Sequence, residues 1–138
     1  MVDRDVVTAK LSVIDRCLSR IAEVNGETRR GLLAVDVDDI TAINLIRAVQ
    51  AAVDLATHVV AVEGFGTPDS TAGAFSLLER RGLIDAALAE RLRRMVGFRN
   101  IAIHEYQAVD PAIVQRIVER HLGDLRALGA RITSAFGL

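Results

Sequence analysis

The chain predicts an all-α fold, an up-and-down bundle of four or five helices. Three observations carry this. Apolar residues recur at spacings of three and four nearly throughout. No segment alternates with period two. Only two prolines occur, Pro68 and Pro111, each where a helix is expected to begin. In the first helix Val7, Leu11, Ile14, Leu18 and Ile21 form one stripe, and Asn25-Gly26 ends it with residues that tolerate positive φ. A loop, GETRRGLLAV, follows. Asp36–Asp39 supply a cap and first-turn acid for a second helix. It runs to about Val62, roughly 40 Å at 1.5 Å per residue, and Gly64-Phe65-Gly66 stops it.

Thr67-Pro68-Asp69-Ser70 reads as a turn, and a short third helix spans about Thr71 to Arg81. Gly82 followed by Leu83 has the form of a Schellman end. Asp85 caps the fourth helix. Asp110-Pro111, a capping acid and then proline at the first helical position, starts a fifth that runs to about Ser134. The whole chain, 1–138, is expected to be one helical domain: its length suffices for a core. Neither repeats nor low-complexity tracts interrupt it.

Hydrophobic residues make up 51% and charged residues 25%, which sets the chain apart from disordered sequences. No uninterrupted apolar run approaches about 18 residues, and the charged start MVDRDVVTAK lacks a signal-peptide core. A cytoplasmic protein with no membrane partner is expected. Cys17 is alone and sits as a small apolar group in the first helix. His58, His104 and His121 are too far apart in sequence for ligand spacing, and no glycine-rich phosphate loop occurs, so neither a metal nor a cofactor of this chain's own is expected. His58 reads as structural.

The net charge of −1 argues against indiscriminate nucleic-acid binding. Its distribution is uneven. Residues 36–63 hold Asp36, Asp38, Asp39, Asp54 and Glu63 against Arg47. Residues 80–99 hold Arg80, Arg81, Arg91, Arg93, Arg94 and Arg99 against Asp85 and Glu90. All but one of the 17 basic residues are arginine, as a codon bias or a need for bidentate phosphate contacts would produce.

The basic segment leads into MVGFRNIAIHEYQAVDP, which holds Arg99, His104 and Tyr106, the last being the only tyrosine. At 100° per residue, Leu88, Leu92, Met95, Arg99, Ile103 and Tyr106 fall within about 80° of one another. Arg99 therefore interrupts an apolar stripe, where a guanidinium is costly unless paired. Either a carboxylate of the second helix pairs with it or it lines a groove that receives an anion. His104 lies about 140° away on an unbroken helix. Either Gly97 disturbs the helix or a second copy of the chain completes a site. Tyr106 on that stripe reads as core filler or as a cleft residue.

RNIAIHEY, an arginine, four residues, a histidine, one residue and a tyrosine, resembles the motif of the HEPN-domain ribonuclease toxins, specifically the HepT-like toxins encoded beside a minimal nucleotidyltransferase (MNT) antitoxin. NLIRAVQAAVDLATHVV, GFGTPDSTAGAFSLLERRGLI, LRRMVGFRNIAIHEY and VDPAIVQRIVERHLGDLRAL extend the likeness over residues 36–128. The resemblance implies a homodimeric bundle whose two Arg–His motifs face each other, cleaving RNA without metal. It makes Arg99 and His104 catalytic and Asn100 the residue that orients RNA or the imidazole. The chemistry fits: histidine can activate a ribose 2′-hydroxyl, and arginine can stabilise charge on the phosphorane with parallel donors. The resemblance also implies a nucleotidyltransferase partner that transfers AMP from ATP to Tyr106. The bulky anion would block RNA by occupancy and repulsion. A HEPN module that only binds a nucleotide or protein, and a purely structural dimerisation bundle with Arg99 salt-bridged in its core, are the alternative readings.

Overall fold

In the computed structural model, which describes residues 1–26 and 31–138, the chain is helical and no strand occurs among the described residues. The helices are α1 (Arg4–Asn25), α2 (Ala34–Glu63), α3 (Gly73–Arg80), α4 (Ala86–His104), α5 (Pro111–Arg120) and α6 (Leu122–Phe136), with a 3₁₀ turn at Tyr106–Ala108. The expected loop at 26–35 falls partly on residues 27–30, outside the described residues.

The local signals act mostly as their chemistry requires. The Asp3 carboxylate accepts from the backbone N–H groups of Asp5 and Val6 and starts α1. Its backbone N–H donates to His58 Nε2 at 3.1 Å, which gives His58 the structural task of tying the chain start to α2. Gly64, at φ 67°, ends α2. At the end of α3, Gly82 N–H donates to Glu79 O and Leu83 N–H to Leu78 O, the two bonds of a Schellman motif. Asp85 caps α4 through Leu88 N–H at 2.8 Å. Asp110 caps α5 through Ala112 N–H at 2.9 Å, with Pro111 in the first turn.

Three expectations are corrected. Helix α2 begins at Ala34, before Asp36–Asp39, and its cap Leu33 makes no side-chain bond. The acids there lie inside the first turns, where the helix dipole favours them. Gly26 adopts an extended conformation, φ −94° and ψ −169°, so no left-handed residue ends α1. Instead Asn25 Nδ2 donates to Ile21 O and to Thr41 Oγ1 of α2, which satisfies the buried threonine. The fifth predicted helix is two helices, so six α-helices occur among the described residues. His121, at φ −124° and ψ −1°, separates α5 from α6. Gly123 just beyond is a weak helix former, and the His121 ring meets Asp124 at 3.3 Å. Helix α2 as a whole is long and apolar enough to cross a bilayer by length and composition, while its charged residues keep any uninterrupted apolar run short, as expected.

In this fold α2 is the central core helix, packed against each of the other five. Leu45, Ala48, Ala52, Leu55, Ala56 and Val59 are fully buried along it. The alanines keep that surface low, so neighbouring helices approach closely. Leu18 and Ile21 of α1, Leu78 of α3, Leu92 of α4 and Leu128 and Ile132 of α6 pack around it, each stabilising by about 1.5–3 kcal/mol on burial. Gly129 lets α1 approach α6: a Cβ there would lie 2.6 Å from Leu11 Cδ2. Cys17 is buried as expected, and desolvation pushes its thiol pKa up. The packing fixes the outward face of α4 and the turn after it, where the sequence places its reactive residues.

Candidate active site

Helix α4 is unbroken from Ala86 to His104, so Gly97 does not disturb it. Three of its arginines have carboxylate partners. Arg91 Nε meets Asp124 at 3.1 Å, Arg93 meets Glu79 at 3.2 Å and Arg94 meets Glu90 at 2.7 Å. Arg99, half-buried, has none among the described residues. Two carboxylates of α2 are engaged elsewhere. Asp54 is bonded by Lys10 and Gln50, and Asp39 by Tyr106. Arg99 Nη1 instead donates to Asn100 Oδ1 at 2.7 Å, and its Nε is buried without a partner. Pairing with a second-helix carboxylate, and with it the salt-bridged core arginine of a purely structural bundle, is overturned. A positive charge held by one neutral oxygen keeps most of its donors and its full charge for an anion.

His104 is the last residue of α4 and is exposed. Glu105, at φ −142° and ψ 64°, leaves the helical conformation, and its N–H closes the last turn on Ile101 O at 2.7 Å. A surface hollow of about 600 Å³ is lined by His104 and by Ile103, Tyr106 and Gln107. The structure thus brings His104 and Tyr106 to one hollow. It does not bring Arg99 there: no hydrogen bond joins Arg99 to His104 among the described residues, as the 140° separation requires.

The chain turns after His104, so Tyr106 leaves the stripe on which an unbroken helix would hold it. It is 48% exposed and is not core filler. Its hydroxyl donates to Asp39 Oδ1 of α2 at 2.6 Å. That bond, with burial and the charges of Asp39 and Asp38 behind it, pushes the phenol pKa up to about 12. A groove of about 390 Å³ runs beside it, walled by Val35, Ala42, Val109 and Pro111 and edged by Asp38 and Asp39. Sequence reasoning read Asp39 as helix-start acid and missed this contact. The two residues are 67 apart and no local pattern joins them.

His121 is engaged by Asp124, and no group of three His, Cys, Asp or Glu side chains with metal-site geometry occurs among the described residues. Ile101 and Ile103, on the outer side of α4 flanking His104, are 53% and 49% exposed, large apolar residues left half open to solvent beside the motif.

Residues 14–132 match the family described as Ribonuclease HepT-like. The chain is 36% identical over 120 residues to the mRNA nuclease HepT of Shewanella oneidensis, covering 87% of this chain and 90% of that protein. Its fold matches a crystal structure of a toxin–antitoxin with AMP-PNP at a TM-score of 0.88 and 33% identity, covering 95% of this chain and 99% of that one. It also matches the tri-AMPylated Shewanella oneidensis HEPN toxin in complex with MNT antitoxin, at a TM-score of 0.87 and 33% identity, covering 96% of this chain and 99% of that one.

Proposed function

We propose that this chain, which belongs to the ribonuclease HepT-like family, is a metal-independent endoribonuclease toxin acting through Arg99 and His104 at a homodimer interface. The observation that carries the reading is Arg99: alone among the arginines of α4 it has no carboxylate partner among the described residues and is held by the neutral Asn100. His104 stands on the surface at the end of the same helix, turned away from Arg99. Two copies related by a two-fold axis would supply both groups to one cleft, and the exposed Ile101 and Ile103 give such an interface apolar contact.

In that cleft an RNA phosphodiester would bind the Arg99 fork. His104 would take the proton of the ribose 2′-hydroxyl, whose oxygen attacks phosphorus; the P–O5′ bond breaks, the 5′-oxygen leaves with the electron pair and gains a proton from solvent, and a 2′,3′-cyclic phosphate remains. Arg99 stabilises the charge that develops on the phosphoryl oxygens, and Asn100 orients RNA or the imidazole. The toxin would be silenced by a nucleotidyltransferase antitoxin of the MNT type that adenylylates Tyr106. The AMP-bearing side chain would occupy the hollow it shares with His104 and repel the RNA backbone.

The separation of Arg99 and His104 within one protomer favours a second reading, a HEPN module that binds nucleotide or protein without catalysis. Variants separate the two. Arg99→Ala and His104→Ala should each lower RNA cleavage by about 10²–10⁴-fold while circular dichroism remains that of the parent. Cleavage by both variants at the parent rate would remove the enzyme reading and leave the binding module.

A further inference from the structure

We infer that Asp39 of α2 is the base that takes the phenolic proton of Tyr106 when AMP is transferred to it. The inference rests on the reading of Tyr106 as the acceptor and adds a residue of this chain to that reaction. A candidate base must first lie within hydrogen-bond reach of the proton it removes. Asp39 Oδ1 already accepts that proton at 2.6 Å.

The surroundings offer Tyr106 little else. The groove beside it is walled by Val35, Ala42, Val109 and Pro111, with Gln107 as a neutral polar neighbour. Among the described residues the charged groups lining it are Asp38 and Asp39. Among the described residues no cation lines it to stabilise a free phenolate, and the phenol pKa is raised to about 12. The nucleophile is therefore a neutral hydroxyl near neutral pH, and it needs a group that removes the proton as the new bond forms. The side chain is also half-exposed, so the α-phosphate of ATP can reach it. A merely structural bond at such an exposed position would contribute little to the fold.

The step balances with ATP as co-reactant. Tyr106 Oη attacks the α-phosphorus and the Oη–P bond forms. The bond from that phosphorus to the oxygen bridging to the β-phosphate breaks, and pyrophosphate leaves with the electron pair. The phenolic proton passes to Asp39 Oδ1 and from there to solvent. Asp39 sets the hydroxyl's direction as well as taking its proton, as the carboxylate of a kinase catalytic loop does for its substrate hydroxyl.

The test uses the full chain with an active MNT-type nucleotidyltransferase, ATP and Mg²⁺, reading AMP incorporation by intact mass and mapping it by peptide mass. Asp39→Asn keeps an acceptor oxygen in place but removes the base. It should lower the rate at saturating ATP by about 10²–10⁴-fold, with KM for ATP unchanged. Asp39→Glu, which keeps a carboxylate, should recover part of the rate. If Asp39→Asn is adenylylated at the parent rate, or Asp39→Glu is as slow as Asp39→Asn, Asp39 is not the base. AMP mapping away from Tyr106 in the parent protein would instead overturn the assignment of the acceptor, and this inference with it. Melting by circular dichroism confirms that each variant is folded.

Discussion

Arg99 and Asn100 are joined side chain to side chain: Arg99 Nη1 donates to Asn100 Oδ1 at 2.7 Å. The bond links consecutive residues of α4 and leaves the guanidinium charge uncompensated. It makes Asn100 the group that holds Arg99. Asn100→Ala should lower RNA cleavage about 10–100-fold, the factor that corresponds to losing one hydrogen bond to a charged group. Arg99→Lys should not restore the activity lost in Arg99→Ala, because an ammonium lacks the planar fork. Single-turnover cleavage of a defined RNA measures both. An Arg99→Lys variant with parent activity would mean that charge alone suffices.

The exposed Ile101 and Ile103 beside His104 lead to a statement about assembly. Sedimentation equilibrium at micromolar concentration should give twice the 14.9 kDa monomer mass. Ile103→Asp should shift the protein to monomer and abolish RNA cleavage together, since Arg99 and His104 of one protomer do not meet. A fully active monomeric variant would show that one chain suffices for the site.

Tyr106 is the only tyrosine and there is no tryptophan, so its ionisation can be followed directly by absorbance near 295 nm. The titration midpoint should lie at about 12 rather than near the ordinary 10, because the neutral phenol is held by Asp39. Asp39→Ala should bring it back toward the ordinary value. The linkage has a definite sign. The folded value is raised, so the bond's contribution to stability is complete below about pH 10 and is lost as pH rises from there through 12. Tyr106→Phe should cost at most about 1 kcal/mol, since the side chain is half-exposed. The same variant should accept no AMP at this position.

The Asp85 cap holds the start of the helix that carries the motif. Asp85→Ala should lower stability by about 0.5–2 kcal/mol in urea unfolding. Asp85→Asn, which can still accept from Leu88 N–H, should recover most of it. Equal losses in the two variants would assign the effect to charge rather than to the capping bond.

The sequence by itself determined the helical class, because the 3.6-residue periodicity and the capping chemistry are local. Asp85, Asp110-Pro111, Gly64 and Gly82-Leu83 each satisfy backbone groups within a few residues of themselves. It also determined the motif, since Arg99, Asn100, His104 and Tyr106 are a contiguous pattern. Tertiary packing decided what depends on distant partners. The break at His121 lets α5 bury Val114 and Ile117 while α6 buries Leu125, Leu128 and Ile132, and periodicity alone does not distinguish two such helices from one. The partner of Arg99 could not be read either: α2 carries five acids, and which of them are occupied depends on how α1 and the turn after α4 dock, through Lys10 to Asp54 and Tyr106 to Asp39. Tyr106 itself moved from stripe to surface because the helix ends two residues earlier, and it found Asp39 across 67 residues of chain. A hydrogen bond between groups that far apart has no signature in either segment. It exists only because the core brings the start of α2 against the end of α4.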